Sequence, residues 1–161
     1  MSSPRLRKYQ APDFPSIAPI AQKTYEKWLH GRAVAHAKRD KKRGNKTAST
    51  EAYKIAIHCA VLHCAGRDHY TGEDLNWSLL SRYSNAESRA LGRTYKAKFA
   101  LLPSVDHVGN GRGEADFKIC AWRTNDAKND LPYEKFVALC RSVVLHSDRT
   151  TGKGLNVSPE S

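Results

Sequence analysis

Several features that would assign this chain to a familiar class are missing from its sequence. Its four cysteines contain no C-x-x-C pair, so a zinc site built from four thiolates is not indicated. Its longest apolar run, Ile55–Ala65, is interrupted by two histidines and is too short to span a bilayer. Met1–Ala11 is basic and polar, with no apolar segment after it, unlike a secretory signal peptide. The absences argue against membrane and secreted disulfide-rich classes, and predict a cytoplasmic protein of bacterial or phage type with reduced thiols.

Acidic residues are also scarce relative to basic ones. The 161 residues include 27 Lys and Arg against 16 Asp and Glu, which gives a net charge of +11 and a pI near 9.7. Such a charge concentrates polyanions at the surface, so nucleic acid is the first partner to consider. Anionic membrane is the second partner, and the lack of an apolar span disfavours it. With 40% apolar and 27% charged residues, the chain has the composition of a soluble globular protein.

Changes in composition divide the chain into four segments. Residues 1–19 contain four of the seven prolines and predict an extended N-terminal arm, either solvated or touching phosphates. Residues 20–66 have helical periodicity and form a helical basic region. Residues 67–146 hold the candidate site and a C-terminal helix, and residues 147–161 read as a polar tail. We therefore expect one folded domain between two polar ends.

A basic cluster closes the first predicted helix, which runs from about Ile20 to Arg43. Six basic residues fall within nine positions: Lys38, Arg39, Lys41, Lys42, Arg43 and Lys46. Cations near a helix C-terminus are favoured by the helix dipole, but six exceed what a cap requires. The cluster is interpreted either as a contact surface for phosphates or as a solvated face, and the sequence leaves both open.

The central segment reads as strand, loop, strand and helix. Phe99–Val105 is apolar and compatible with a strand, and Gly109–Asp116 is a Gly-containing loop. Phe117–Trp122 alternates between its two faces with the period of a second strand. A short helix is predicted from Arg123 or Thr124. Because an Asp-His pair ends the first strand and an Asn opens the helix, we expect these three side chains to converge on one metal ion.

This order resembles the HNH endonuclease family of ββα-metal nucleases. The residues that carry the resemblance are Val105-Asp106-His107, Asp116, Phe117–Cys120 and Asn125-x-x-Lys128 followed by Leu131, with Tyr70–Glu73 similar to the turn that often precedes the first strand. The resemblance implies an α+β fold: a mainly helical single domain built around the ββα motif, with a small two-stranded antiparallel sheet. It also implies a metal-dependent DNA endonuclease that hydrolyses phosphodiester bonds, by nicking or by double-strand cleavage.

The resemblance assigns a role to each residue of the motif. Asp106 and Asn125 match the metal ligands, and their oxygens suit a hard cation, Mg²⁺ first, with Mn²⁺ or another divalent ion as alternatives. His107 matches the general base that activates the attacking water. Asn129, four residues after Asn125, is expected on the same helical face as a possible third ligand. Asp116 matches the position that ties the loop together.

The remaining predicted site residues are basic. Lys128, one turn beyond Asn125, and Arg123 are expected to contact substrate phosphates, together with the cluster at Lys38, Arg39, Lys41, Lys42 and Arg43. The expected partner is double-stranded DNA, with no membrane contact. A homodimer stays open, because a site-specific double-strand cutter needs two active sites.

Two departures from the family pattern stand out. The family usually has Asn at the central position, where this chain has Asp116, and a carboxylate cannot donate hydrogen bonds as an amide does. Many members also carry a zinc knuckle of two C-x-x-C pairs. The matching positions here are Asp68 with Thr71 and Ala121 with Thr124, so no structural zinc is expected.

Other classes of function compete with an endonuclease. The main alternative is a non-catalytic basic nucleic-acid-binding module on a degenerate HNH fold, favoured by Asp116 and by the small number of metal ligands. A basic adaptor for anionic protein or RNA is a third hypothesis. The alternative without chemistry is a folded domain that simply has Asp-His at a strand end and a capping Asn.

Overall fold

The computed structural model describes residues 7–15 and 18–151 and has the α+β class expected from the sequence. In chain order the elements are α1 (Gln22–Lys42), α2 (Thr50–Cys64), a 3₁₀ turn (Trp77–Leu79), α3 (Asn85–Lys98), β1 (Pro103–His107), β2 (Phe117–Ala121), α4 (Trp122–Lys128) and α5 (Tyr133–Thr150). The mainly helical content and the small antiparallel sheet are therefore confirmed. Parts of the predicted arm and most of the predicted tail lie outside the described residues.

Two compact units make up the chain, the first ending at Ala127 and the second beginning at Lys128. This boundary falls inside the segment 67–146 that composition had grouped together. The second unit contains α5, none of whose residues is buried. Within the described ranges, no helix is long and apolar enough to cross a membrane.

The helices α1 and α2 supply most of the core of the first unit. Tyr25, Leu29 and Ala33 recur every four residues along α1 and are almost completely buried. On α2, Ile57 and Val61 do the same. Burying side chains of this size is worth about 1.5–3 kcal/mol each, which makes the α1–α2 pair the scaffold for the rest of the unit.

The two strands form an antiparallel hairpin that packs against the helices. In its register, Pro103 lies opposite Ala121 and His107 lies opposite Phe117. Alternation along β1 directs Val105 into the core with α1 and α2, and Ser104 to the opposite face. The hairpin thus has a helix face and an outer face, and the site residues are divided between them.

The described part of the N-terminal arm is attached to the helices. Lys8 and Tyr9 both donate hydrogen bonds to Glu51 on α2. Gln22 accepts a hydrogen bond from the amide of Ala11 and donates to the carbonyl of Tyr9. Residues 7–15 are therefore tied down by polar contacts.

Candidate functional site

The outer face of the hairpin brings two of the predicted site residues close together. Asn125, in α4, donates from Nδ2 to Ser104 Oγ on β1 at 2.9 Å. Asp106 lies on the same face of β1, about 7 Å along the strand from Ser104. Tyr70 donates its hydroxyl to Asp106 Oδ2 from the turn before the strand. Asp106 and Asn125 therefore both belong to the outer face, Asn125 through its contact with Ser104 and Asp106 two residues further along β1.

Tyr70 is held in its donor form on this face. Desolvation by burial and the hydrogen bond to Asp106 raise the pKa of Tyr70 well above its ordinary value of 10. The phenol stays protonated, so the contact is an O–H donated to a carboxylate. Asp106 itself is only 5% exposed. The sequence pattern predicts a turn at Tyr70 but does not indicate this contact.

His107 points to the helix face, away from Asp106. Its Nε2 lies 2.7 Å from Asp40 Oδ2 on α1, and its ring meets the edge of Phe117 with centroids 5.0 Å apart. The side chain is 6% exposed. The expected convergence of Asp106, His107 and Asn125 on one point is therefore not seen. The physical reason is that successive residues of a strand project to opposite faces.

Asp40 is the centre of the polar network on the helix face. Its side chain is fully buried, and it accepts hydrogen bonds from Tyr53 Oη at 2.5 Å and from Arg39 Nε at 3.3 Å, besides the contact with His107. Desolvation alone would raise the pKa of Asp40. The hydrogen bond from Tyr53 and the nearby His107 and Arg39 outweigh it and lower the pKa below its usual range. Asp40 is therefore an ionised, acceptor-only group.

A second histidine lies beside His107. The rings of His36 and His107 stack with centroids 6.3 Å apart at 27°. Burial, together with the charge of Arg39, lowers the pKa of His36 to about 4, so this ring is neutral at pH 7. Within the described residues, Nδ1 of each histidine is buried without a hydrogen-bond partner. The helix face thus holds two stacked imidazole rings, of which that of His107 contacts the carboxylate of Asp40.

The loop between the strands is braced from the α1–α2 connection. Asn45 Nδ2 donates to the carbonyl of Gly111 at 2.9 Å and to that of Gly113 at 3.0 Å. Asn45 Oδ1 accepts from Thr47 N at 2.9 Å, which fixes the amide itself. Asp116 is exposed, and its backbone carbonyl accepts from the amide of Val108. The resemblance implies that the side chain at the position of Asp116 ties the loop together. Here the amide that braces the loop belongs to Asn45, which lies outside the motif.

The four positions matched to the zinc knuckle meet at one carboxylate. Asp68, 2% exposed, accepts from the amide of Thr71 at 3.2 Å and from the amide of Ala121 at 2.8 Å. It also accepts from Thr124 Oγ1 at 2.7 Å. No cysteine occupies these positions, which predicts that packing holds this region. One buried aspartate also ties together the chain segments 68–71 and 121–124.

Three further predicted residues lie at or beyond α4. Arg123 is exposed and pairs with Glu73. Lys128 ends α4, is 6% exposed, and begins the second compact unit. Asn129 has a left-handed φ of 49° and follows the end of the helix. The premise that Asn129 continues the helical face of Asn125 is wrong, because the helix stops one residue earlier.

The basic cluster at the end of α1 is largely exposed. Lys38, Lys41, Lys42 and Arg43 are all exposed and available to a polyanion. Arg39 differs, since its guanidinium turns inward to Asp40. Because Asp40 and Asn45 belong to the same stretch of chain, this basic surface is continuous with the residues that hold His107 and the loop.

The outer face carries one carboxylate and one amide among the predicted site residues. A carboxylate and an amide oxygen are the donors that Mg²⁺ prefers, and Mg²⁺ retains several waters in such sites. Since Nδ2 of Asn125 donates to Ser104, Oδ1 is the amide atom that remains for a cation. Within residues 7–15 and 18–151, no group of three or more His, Cys, Asp or Glu side chains could hold a metal ion. The candidate site is thus Asp106 with Asn125.

Comparisons with known proteins do not add to this geometry. No protein-family model matches the chain, and searches of curated proteins and of solved structures gave no match.

Proposed function

We propose that this protein is a metal-dependent DNA endonuclease of the HNH type. Its divalent ion binds to Asp106 and Asn125 on the outer face of the β1–β2 hairpin, and His107 accepts the proton of the attacking water. The substrate is the phosphodiester backbone of DNA, which the basic surface at the end of α1 attracts.

The observation that carries the proposal is the meeting of Thr71, Ala121 and Thr124 at Asp68. These positions match the family's zinc knuckle by sequence order alone. In a family with that knuckle, they must lie around one point. They do so here through hydrogen bonds of 2.7–3.2 Å, with a carboxylate in place of a metal ion. This arrangement supports the alignment that also assigns Asp106, His107 and Asn125.

The roles on the outer face follow from the groups present. A bound divalent ion would stabilise the charge of the pentacoordinate phosphate and the departing 3′ oxygen. Asp106 supplies the anionic oxygen, with Tyr70 fixing the direction of its carboxylate. Ser104 orients the amide of Asn125. These contacts set both oxygens in place before substrate arrives, which is the condition for an ordered site.

The role of His107 makes a structural demand. Nε2 faces Asp40, so Nδ1 is the nitrogen that can take a proton, and Nδ1 is buried. Because the ring lies on the opposite face of β1 from Asp106, this role requires the exposed part of the loop, residues 108–110 and 112–114, to move so that the scissile phosphate reaches both the ring edge and the ion. Imidazole is the side chain that most often serves as a general base.

A plasmid assay tests the proposal. Supercoiled DNA is incubated with the protein and Mg²⁺ or Mn²⁺, beside His107→Ala, Asp106→Ala and an EDTA control. We expect nicked or linear product with wild type only. DNA retardation without cleavage under any metal would overturn the endonuclease proposal, and full activity in His107→Ala would overturn the assignment of the base.

A second candidate function is a non-catalytic nucleic-acid-binding module on the same fold. It is favoured by one observation, the burial of His107 in a network that keeps its ring from solvent.

The basic surface at the end of α1 would bind DNA in both candidate functions. For either, Lys41→Ala with Lys42→Ala should weaken binding similarly for all DNA sequences and lower the salt dependence, by about one unit of slope for each phosphate that the variant no longer neutralises. An unchanged slope would assign this helix end to a solvated face.

A further inference from the structure

We propose that Asp40 is a positioning residue for His107. Its carboxylate holds the imidazole in the tautomer that carries hydrogen on Nε2, which makes Nδ1 the proton-accepting nitrogen. The catalytic half of this inference rests on the proposed endonuclease function, whereas the tautomer is a property of the folded protein alone.

The hydrogen bonds assign the proton between the two residues. Asp40 Oδ2 accepts a hydrogen bond from Tyr53 Oη at 2.5 Å and lies 2.7 Å from His107 Nε2. Its Oδ1 accepts a hydrogen bond from Arg39 Nε at 3.3 Å. An ionised carboxylate can only accept, so the hydrogen between Asp40 and His107 belongs to Nε2. The two other donors fix the plane of the carboxylate, and the carboxylate in turn fixes the ring.

The carboxylate is enclosed on the side of the loop as well. A methyl group added at Gly111 would lie 2.5 Å from Asp40 Oδ1, so the loop backbone packs directly on the aspartate. Asn45 holds that backbone through the carbonyls of Gly111 and Gly113. Asp40 and Asn45 thus fix both the ring of His107 and the loop that follows it, although neither lies in the ββα segment.

The unpartnered Nδ1 of His107 bears on whether the ring is positioned for proton transfer or only fills the core. Within the described residues, His107 Nδ1 is buried without a hydrogen-bond partner. Leaving a buried polar atom unpaired is unfavourable, and of the two described histidines with an unpartnered Nδ1 only His107 has its other ring nitrogen at a carboxylate. A ring held at one nitrogen, with its other nitrogen uncommitted, is the arrangement that a proton acceptor needs.

The first experiment measures the tautomer of His107 directly. Long-range ¹H–¹⁵N spectra of His107 are recorded at pH 8, above the ordinary imidazole pKa of about 6.5, and assigned by loss of the signal in His107→Gln. We expect the Nε2–H form in wild type and a mixture of tautomers in Asp40→Asn, because an amide offers N–H groups as well as an oxygen. Asp68→Asn, which changes an equally buried carboxylate outside this network, should retain the Nε2–H form.

The second experiment measures the kinetics of DNA cleavage. In plasmid nicking, Asp40→Asn should lower kcat by roughly 10- to 100-fold with KM unchanged, as for other residues that orient a functional histidine. Asp40→Asn added to His107→Ala should cause no further loss, because Asp40 acts through the ring. A merely structural role would instead give an additional loss in that background. Tyr53→Phe, a milder change, should shift both measurements in the same direction if Asp40→Asn does not fold.

The two experiments separate the two proposals. Hydrogen on Nδ1 in wild type, or an Asp40→Asn variant with unchanged tautomer and kcat, would overturn the assignment of Asp40. Loss of activity that adds to that of His107→Ala would also overturn it. Absence of nicking by wild type with every metal would overturn the endonuclease function, and the tautomer spectra would then decide the inference about Asp40 alone.

Discussion

The helix face and the outer face of the β1–β2 hairpin satisfy their polar groups in different ways. On the helix face, Asp40 is fully buried and its hydrogen-bond partners come from regular helices or from the hairpin itself. On the outer face, Asp106 accepts a hydrogen bond from Tyr70, which lies in a turn, and the side chain of Asn125 is only partly buried. One face is a closed network that orients a ring, and the other borders solvent.

Each face nevertheless contains the same pair, a tyrosine hydroxyl donated to an aspartate. Tyr53 donates to Asp40 on the helix face, and Tyr70 donates to Asp106 on the outer face. Burial distinguishes the two, since Tyr53 is 2% exposed whereas Tyr70 is half-buried. The same pair is therefore expected to contribute more to stability where its tyrosine is enclosed than where it is half-buried. Four predictions test this contrast, in order of decreasing effect.

The largest effect is expected for Asp40→Ala. It leaves Tyr53 Oη and His107 Nε2 without their acceptor in the core, which should lower the free energy of unfolding by about 3–5 kcal/mol. Asn125→Ala, on the outer face, should cost about 1 kcal/mol or less, because water can replace its partner. Urea unfolding followed by circular dichroism measures both. Equal losses would remove the distinction between the faces.

The second prediction concerns pH and His36. Its pKa of about 4 in the folded protein lies below the ordinary value of 6.5, so between these values the unfolded chain binds the proton and the folded protein does not. Stability from the neutral ring is complete above pH 6.5 and falls as the pH falls towards 4, by up to about 3 kcal/mol. Urea unfolding at pH 7 and 4.5 should show this decline in wild type and a smaller one in His36→Gln.

Third, two glycines of the loop provide a matched comparison. Gly109 and Gly111 both have positive φ, at 85° and 76°, so alanine at either position is strained by about 1–3 kcal/mol. Only at Gly111 would the added methyl group meet Asp40, at 2.5 Å, whereas nothing lies within 4 Å at Gly109. Thermal unfolding should show Gly111→Ala to be the more destabilising by at least about 1 kcal/mol. Identical melting temperatures would mean that the loop does not pack on Asp40.

The smallest effect is expected for the tyrosine pair. Tyr53→Phe should lower the free energy of unfolding by about 2 kcal/mol, since a buried carboxylate loses a hydrogen bond. Tyr70→Phe should cost about 1 kcal/mol, because Tyr70 is only half-buried and water can replace its hydroxyl. Urea unfolding of the two variants side by side gives the difference. A larger loss for Tyr70→Phe would show that the outer face is the more constrained one.

Sequence patterns predicted the secondary structure of the site well and its tertiary contacts poorly. The second strand (Phe117–Ala121) and α4 (Trp122–Lys128) occur close to where alternation and turn residues indicated them, whereas the first strand was expected over the apolar run Phe99–Val105 and spans Pro103–His107. The end of α4 was placed too late, which led to the wrong premise for Asn129. Helix ends depend on local capping, and a left-handed residue at Asn129 is not readable from periodicity.

The partners of the site residues were not readable from local patterns. Asp40 was the single acid in a basic run, and Asp68 was one polar residue of a turn. Nothing local distinguishes them from solvated residues, because their hydrogen bonds reach 67 residues along the chain to His107 and 53 residues to Ala121. Only the packing of α1, α2 and the turn against the hairpin brings these groups together.

By itself, the sequence indicated the class of fold through its resemblance to a known motif, the strand–loop–strand–helix order through short-range patterns, and the net basic charge through composition. Tertiary structure decided which face each side chain of the Asp-His pair takes, which residue braces the loop, and which buried aspartate joins the turn after α2 to the start of α4. These features depend on strand alternation combined with long-range packing. The role of a buried carboxylate such as Asp40 or Asp68 is visible only when the hydrogen-bond donors around it are known.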